Sequence, residues 1–401
     1  MRMSYSDENV KRAHEFAIEL AFPRLVGTEG ELKAQQLISE KVKSIGNPFH
    51  TEDLKCSKFA INIAFRMVLP LGALFLLGTW CFSEPLLGLN NPIVSLIFSL
   101  IGVVWLALAS TIINKSFGRV PRIGQIFQTQ NFISEITPSA PKGHLIYVAH
   151  YDSKSQFYPG LVRVILFIAG LISGMLYAAQ ILGRSIIVLT GGVPTGFWAP
   201  SIYAFIVAFC LNFSLILNSV GNRSPGALDN ATSVATVLEL SKIFKIVPLQ
   251  HLKLSFVITA AEELGLYGAA DYVKRRRGQL DPKTTYFLNF DGVGGKSKTI
   301  LLSAYGIPPK KTSSMLNKFI DEIVKEHSLK EDFRKVYLPI GGATDHVPIQ
   351  AAGYEVTMLG TFITNFHTSR DAVKGIEDKS LKIAGIIGLE VGKKIDQMLS
   401  S

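Results

Sequence analysis

Residues 144–153 read HLIYVAHYDS, an apolar run that ends directly on His150 and Asp152. A short apolar run of this kind predicts a buried β-strand. Three further predicted strands are followed by similar side chains: Leu252–Thr259 by Glu262 and Glu263, Tyr286–Phe290 by Asp291, and Glu355–Leu359 by His367 and Asp371. Ligand sites of open α/β sheets lie outside the carboxyl ends of the strands, so we expect these residues at one sheet edge.

The polar parts of the chain alternate predicted strands with predicted helices. Asn131–Ile136 has the composition of another strand. Helical patterns cover four segments: Glu29–Ile45 (ended by Gly46), Ala231–Phe244, Glu263–Arg275 and Lys311–His327. This alternation predicts an α/β fold with a mixed, mostly parallel sheet and helices on both faces.

The apolar residues are concentrated in four runs. Of 401 residues, 48% are hydrophobic and only 18% are charged, whereas a soluble domain has about a quarter charged residues. The runs are Ile61–Phe82, Ile93–Ile113, Val162–Leu182 and Trp198–Leu217. Each has about 20 residues, enough for a helix to cross a bilayer. Buried core helices are the alternative, but the arrangement in two pairs favours two inserted transmembrane helical hairpins with the lipid bilayer as partner.

These insertions divide the predicted α/β domain into three segments. The domain takes residues 1–58, 116–157 and 221–401, and the hairpins take 59–115 and 158–220. The turn Ser83–Asn91 has no Lys or Arg, and the other turn has only Arg184. Several basic residues flank the hairpins: Lys55, Lys58, Lys115, Arg119, Arg122, Lys154, Arg163 and Arg223. Positive charge is retained on the cytoplasmic side, so we expect an integral membrane protein with a cytoplasmic polar domain. The polar N-terminus predicts no cleavable signal peptide.

Charge and cysteine content exclude two other classes of protein. The net charge is +10, but the one dense basic cluster, Lys274–Arg277, has no interleaved aromatic residues. We therefore expect no nucleic-acid partner. The three cysteines, Cys56, Cys81 and Cys210, form no CxxC pair. Their odd number and spacing predict neither a disulfide framework nor a thiolate zinc site.

The residues expected at the sheet edge suit a metal pair. Zinc binds imidazole nitrogen and carboxylate oxygen, and two adjacent metals need a bridging carboxylate. Asp229, in the loop GALDN (226–230), adds a carboxylate to the set. In the pair Glu262–Glu263, one carboxylate can ligate metal while the other, Glu262, acts as general base. Taken singly, Asp229 could cap a helix, and the Glu pair could stabilise a helix start.

The chain resembles the M28 family of zinc peptidases, which includes aminopeptidases and glutamate carboxypeptidases. The similar motifs, in the family's order, are PRLVGTEGELKAQQLI (23–38), AHYDS (149–153), GALDNATS (226–233), AAEELGLYG (260–268), NFDGVG (289–294), TDHVPI (344–349) and NFHTSRD (365–371). They cover nearly all of the polar chain. The two apolar pairs depart from the family and are insertions into it.

The resemblance implies a role for each motif residue and a cofactor of two Zn²⁺ per chain. His150 and Asp291 would bind one zinc, Glu263 and His367 would lie on the two sides of the pair, and Asp229 would bridge both ions. Glu262 would be the general base. Asp152 would orient His150, Asp371 would act similarly near His367, and Asp345 with His346 would belong to the substrate pocket. The resemblance also implies a cis peptide bond between Asp229 and Asn230.

Three functions remain open from the sequence. The first is hydrolysis of N-terminal peptide bonds of a peptide substrate through a metal-bridging hydroxide, with Glu262 passing the proton to the leaving amine. The second is an acyl transfer like that of glutaminyl cyclases, which use one zinc. The third is a non-catalytic membrane scaffold or transporter. The sequence leaves the oligomeric state and the substrate preference undetermined.

Overall fold

The computed structural model describes residues 4–59, 61, 65–83, 91–116, 124–193 and 198–400. The chain forms two compact units. The first, named the α/β unit, comprises Met1–Ser57, Phe117–Ser155 and Gly221–Ser401. The second, named the helical unit, comprises Lys58–Ser116 and Gln156–Val220. The helical unit is thus formed by two insertions into the sequence of the α/β unit.

The strands and helices follow in chain order. The strands are β1 (Phe49–Ser57), β2 (Ile126–Ile136), β3 (Gly143–His150), β4 (Ser155–Gln156), β5 (Val220–Gly221), β6 (Leu252–Thr259), β7 (Thr285–Phe290), β8 (Thr299–Tyr305), β9 (Lys310–Lys311), β10 (Phe333–Leu338) and β11 (Glu355–Thr361). The helices are α1 (Asp7–Leu20), α2 (Glu29–Ile45), α3 (Phe65–Ser83), α4 (Pro92–Ser116), α5 (Gly160–Leu189), α6 (Trp198–Ser214), α7 (Thr232–Ile246), α8 (Tyr267–Arg275), α9 (Ser314–Glu326), α10 (His346–Ala351) and α11 (Asp378–Ser400).

The main sheet is mixed, with strand order β1-β2-β6-β3-β7-β11-β8-β10 and β9 beside β8. The four central strands β6, β3, β7 and β11 run parallel. The pairings β1–β2, β2–β6, β11–β8 and β8–β9 are antiparallel. The edge strand β10 pairs with β8 in parallel. The prediction of a mixed sheet is confirmed, but parallel and antiparallel pairings are equally frequent among the described strands, so the sheet is not mostly parallel. The hydrophobic pattern of a strand does not specify the direction of its neighbour.

Helices cover both faces of this sheet, as predicted. Because side chains alternate along a strand, Ile146 and Val148 of β3 point to the face where Tyr272 and Val273 of α8 pack. Tyr147 points to the opposite face, where its ring lies 6.0 Å from that of Phe244 in α7. Its hydroxyl donates to a backbone carbonyl of α11 at 2.8 Å. The core of the α/β unit therefore has two apolar layers, one on each face of the sheet.

The predicted bounds are right for α2 and for the last residue of α8, but the predicted start of α8 is wrong. The helix α2 ends where Gly46 adopts a left-handed conformation, φ 76°, which glycine accepts without steric cost. The helix α8 begins at Tyr267, four residues after the predicted start at Glu263. Leu266 has a positive φ of 62°, so an α-helix cannot continue from Glu263 through this residue to Tyr267. The Glu pair therefore lies on a turn.

The helical unit has an apolar surface and a small core. Its core includes Tyr177 and Ile181 of α5 with Phe205 of α6, and the Trp80 ring stacks on Phe205 at 5.1 Å. By length and composition, α5 can cross a membrane. The other three helices contribute shorter apolar stretches within the described residues: Pro70–Phe82, Pro92–Trp105 and Ile202–Leu217. Much of the first predicted turn, residues 84–90, lies outside the described residues.

Candidate metal centre

The parallel centre of the sheet brings four predicted site segments to one edge. The neighbouring strands β6, β3, β7 and β11 all end there. Their carboxyl ends lead into Glu262 and Glu263, His150, Asp291, and the loop that carries His367. Asp229 reaches the same place from the helical turn Ala227–Ala231 before α7. The expectation of a common edge thus agrees with the strand order.

Asp229 joins two sets of possible metal donors. Its Oδ1 lies 3.3 Å from His150 Nε2, and its Oδ2 lies 3.2 Å from His367 Nε2. The first donor set is His150, Asp229 and Asp291, and the second is Asp229, Glu263 and His367. Within each set the donor atoms lie within 4.8 Å of one another. Each oxygen of one carboxylate therefore faces a different set, as in a bridging ligand.

This grouping corrects one expectation about the pair. Glu263 and His367 were expected on the two sides of the metal pair, but both belong to the second donor set. His367 Nε2 lies 3.0 Å from Glu263 Oε2. The peptide bond between Asp229 and Asn230 is cis, as the family resemblance implied. Asp229 does not cap α7, because the N-cap position is Ala231.

Two features of these residues fit zinc. Glu263 Oε1 is buried and has no hydrogen-bond partner within the described part of the chain, which leaves an acceptor available for a cation. Burial alone would lower the pKa of His150, but Glu262 and the three nearby aspartates raise it well above its usual value. The site thus holds negative charge that a metal ion would balance. Imidazole and carboxylate donors are those that zinc prefers.

Glu262 lies beside the first donor set. Its Oε2 is 3.9 Å from His150 Nε2, and the residue is buried. Burial, followed by the charges of Glu263, Asp291 and Asp345, raises the pKa of Glu262 well above its usual value, although His150 opposes this shift. A carboxylate with a raised pKa accepts a proton readily near neutral pH. These properties suit a general base.

Asp152 holds the Glu pair and contacts His150 mainly through its backbone. Its Oδ1 and Oδ2 accept hydrogen bonds from the amides of Glu262 and Glu263, both at 3.1 Å. His150 Nδ1 is 3.1 Å from the carbonyl oxygen of Asp152 and 3.6 Å from its Oδ1. The latter distance is too long for a direct hydrogen bond. The predicted carboxylate–histidine contact is therefore replaced by a carbonyl contact.

Asp371 supports Asp229, whereas it was expected to act near His367. Its two carboxylate oxygens accept hydrogen bonds from the amides of Leu228 at 2.9 Å and Asp229 at 3.1 Å. Burial, followed by the charge of Asp229, raises the pKa of Asp371 to about 6. The carboxylate thus fixes the backbone of the bridging residue.

Arg24 and Asn230 also position the site, and the motif analysis assigned neither a role. Arg24 is fully buried, and its guanidinium donates only to carbonyl oxygens among the hydrogen bonds of the described residues, including those of Tyr151 and Gly226. It thereby ties the loop after His150 to the loop before Asp229. Asn230 accepts from the amide of Gly292 and donates to the Phe290 carbonyl, at 3.0 and 3.1 Å. In the sequence, the only signs of these two roles were the single Arg in PRLV (23–26) and the Asn that follows Asp229.

The two residues predicted for the substrate pocket are buried in different surroundings. Asp345 Oδ2 accepts a hydrogen bond from Thr259 at the end of β6, and burial raises the pKa of Asp345 to about 7. His346 lies against the Tyr305 ring at 4.6 Å, with Nδ1 2.7 Å from Thr344 Oγ1. Burial lowers the pKa of His346 to about 3. His346 is therefore a neutral core residue, and only Asp345 lies close enough to influence His150 and Asp291.

Histidine and carboxylate donors at the carboxyl edge of an α/β sheet are an arrangement found in metal-dependent enzymes. Residues 217–391, a little under half of the chain, match the model of Peptidase family M28. Every donor of the two sets except His150 lies within the match. Aminopeptidase YwaD of Bacillus subtilis (strain 168) is 28% identical over 172 residues, 40% of this chain and 36% of that protein. The chain thus matches about a third of this curated relative's length.

Solved structures share the fold over nearly the whole chain. BSAP, a zinc aminopeptidase from Bacillus subtilis, has a TM-score of 0.55 at 15% identity, covering 98% of this chain and 96% of the other. An Acidobacteriales bacterium glutaminyl cyclase also has a TM-score of 0.55, at 16% identity and coverages of 97% and 95%. These likenesses show that the chain has a fold that both an aminopeptidase and a glutaminyl cyclase use.

Proposed function

We propose that the chain is a membrane-bound aminopeptidase with two zinc ions per chain. The observation that carries this proposal is the orientation of Asp229, whose two oxygens face His150 and His367 in different donor sets. The YwaD relative is named an aminopeptidase, and this favours peptide bonds beside a free N-terminus as the substrate. Bound zinc would supply Lewis acidity at the scissile carbonyl and lower the pKa of water.

The protein's own residues then handle the proton and the geometry. Glu262 accepts a proton at its carboxylate from the attacking water and delivers it to the leaving amine. Asp152 holds Glu262 in place through the Glu262 amide. Asp371 holds the backbone of Asp229. Arg24 keeps the two loops that carry His150 and Asp229 together. A general base beside a fixed metal pair would suit water attack on an amide.

A panel of peptides tests this function. Purified full-length protein in detergent should hydrolyse Leu-initiated peptides with a free amine and leave their N-acetylated forms intact. The loss of activity on treatment with a chelator should be reversed by zinc. Equal cleavage of free and blocked peptides would exclude an aminopeptidase.

A second candidate function is cyclisation of N-terminal glutamine. Glutaminyl cyclases share this fold, with the Acidobacteriales bacterium enzyme covering 97% of the chain. A Gln-initiated peptide in the same panel separates the candidates, because cyclisation releases ammonia and keeps the peptide intact, whereas hydrolysis releases free glutamine. Ammonia release without hydrolysis would make the cyclase the correct assignment.

We also propose that the helical unit crosses the bilayer four times, as two hairpins at 59–115 and 158–220, with the α/β unit on the cytoplasmic side. The surface of α5 supports this, because Ile165, Met175 and Leu176 are each more than half exposed. A soluble monomer rarely exposes an apolar surface of this kind. The charge asymmetry of the flanks supports the orientation.

Cysteine labelling of intact cells tests that orientation. In a variant in which Cys56, Cys81 and Cys210 are replaced by serine, a cysteine placed within Ser83–Asn91 should react with an impermeant maleimide. A cysteine on the exposed face of α9 should react only after the cells are permeabilised. The reverse pattern would invert the topology, and release of the protein by alkaline carbonate would exclude membrane spans.

A further inference from the structure

A lysine reaches one of the two donor sets. Lys154 lies in the loop after β3, and its side chain is 12% exposed. Its Nζ is 2.8 Å from Glu263 Oε2 and donates a second hydrogen bond to the Glu263 carbonyl oxygen at 3.0 Å. From the sequence, Lys154 was interpreted only as one of the basic residues that flank a hairpin. In the structure its ammonium group contacts Glu263, a possible metal donor.

The ammonium and an imidazole share one oxygen of Glu263. His367 Nε2 lies 3.0 Å from the same Oε2 that Lys154 contacts. Burial raises the pKa of Glu263, but the charges of His367 and Lys154 outweigh this and leave it below its usual value. Glu263 is therefore an ionised donor whose charge is already partly balanced. Its buried Oε1 has no partner within the described residues and remains available to a cation.

The two donor sets differ in their relation to this ammonium. Glu263 belongs to the second set alone, whereas Asp229 belongs to both. An ion in the second set would lie within a few ångströms of the ammonium, and like charges in a buried site are weakly screened. A carboxylate that accepts a hydrogen bond from an ammonium is also a weaker donor to metal. Both effects should lower the affinity for a metal ion more at the second donor set than at the first.

We propose that Lys154 weakens zinc binding at Asp229, Glu263 and His367, so that the two sites have unequal affinities and the supply of the second ion controls activity. This inference rests on the proposed two-zinc function. Lys154 is a positioning and regulatory residue, because its contacts are to Glu263 and not to the reacting atoms. The alternative is that Lys154 only ties its loop to the turn that carries Glu263.

A zinc titration separates these roles without measuring turnover. Metal-free full-length protein in detergent is titrated with zinc in competition with a chromophoric chelator, which gives both dissociation constants. Wild type should show two sites that differ by at least tenfold. Lys154→Met and Lys154→Gln should tighten the weaker site about tenfold, or about 1.4 kcal/mol, and leave the tighter site unchanged. Gln keeps a donor for the Glu263 carbonyl, so agreement between the two variants assigns the effect to charge.

Two controls accompany this titration. Lys154→Arg retains the charge and should leave both constants near wild type. Lys253→Met removes a lysine paired with Glu135 at 3.0 Å near the start of β6, at the opposite end of the strand from the site. It should change neither zinc constant.

Each contradictory outcome identifies what has failed. Two ions bound with equal affinity, with no change in the Lys154 variants, would overturn the role of Lys154 and leave the two-zinc function intact. Weaker binding in Lys154→Met would show that the lysine supports the site, which also contradicts the proposal. If wild-type protein takes up no zinc, the proposed function fails and this inference fails with it.

Discussion

Replacing Glu262 with glutamine is expected to leave zinc binding intact and to reduce kcat by a factor of about 10²–10⁴, the usual contribution of a general base. Glutamine has nearly the same shape as glutamate but does not accept the proton. The Glu262 amide would still donate to Asp152, so the turn should keep its conformation. Metal content by mass spectrometry and turnover of a Leu-initiated peptide are measured on the same sample.

The neighbouring residue gives a matched control. Glu263→Gln alters a donor of the second set and should lower zinc content as well as activity. The two adjacent variants therefore distinguish a base from a ligand by their metal content. Near-wild-type turnover in Glu262→Gln would show that another group accepts the proton.

Replacing Asp229 with alanine is expected to release both ions together. Each of its oxygens faces a different donor set, so the substitution removes a ligand from each. Activity should fall to background, and the zinc content should fall from two per chain toward zero. The variant is measured after dialysis against a weak chelator that leaves wild type loaded.

Variants that lose a donor from only one of the two sets provide the comparison for Asp229→Ala. Asp291→Ala and His367→Ala each remove a donor from one set only. Each of these two variants should therefore bind one zinc ion more weakly and still bind the other. If Asp229→Ala still holds two ions tightly, or loses only one, Asp229 is not the bridge.

The sequence predicted which side chains would meet at one sheet edge, because the relevant pattern is local. A buried strand followed by His150 places that side chain at a sheet edge whatever the order of the strands. The same reasoning placed Glu262 and Asp291. Asp229 was added from its loop, which follows no predicted strand, and the family resemblance implied its bridging role. The grouping of Glu263 with His367 could not be predicted, since it depends on how two distant loops meet in three dimensions.

The supporting contacts were less predictable than the donors. Asp371 lies four residues after His367 in sequence, yet it binds the backbone of Leu228 and Asp229. Arg24 acts on carbonyl oxygens, and every residue has one, so no side-chain pattern identifies its partners. His346 is adjacent to Asp345 but points into the core beside Tyr305. In each case the partner is set by tertiary packing.

The central claim is that Asp229 joins two zinc sites that are both needed for hydrolysis. It is tested most directly by adding zinc stepwise to metal-free full-length protein. Bound zinc per chain is counted at each step while hydrolysis of a Leu-initiated peptide is followed. The account predicts that activity reaches its maximum only when two zinc ions are bound per chain. Full activity with one zinc bound, or with none, would contradict it.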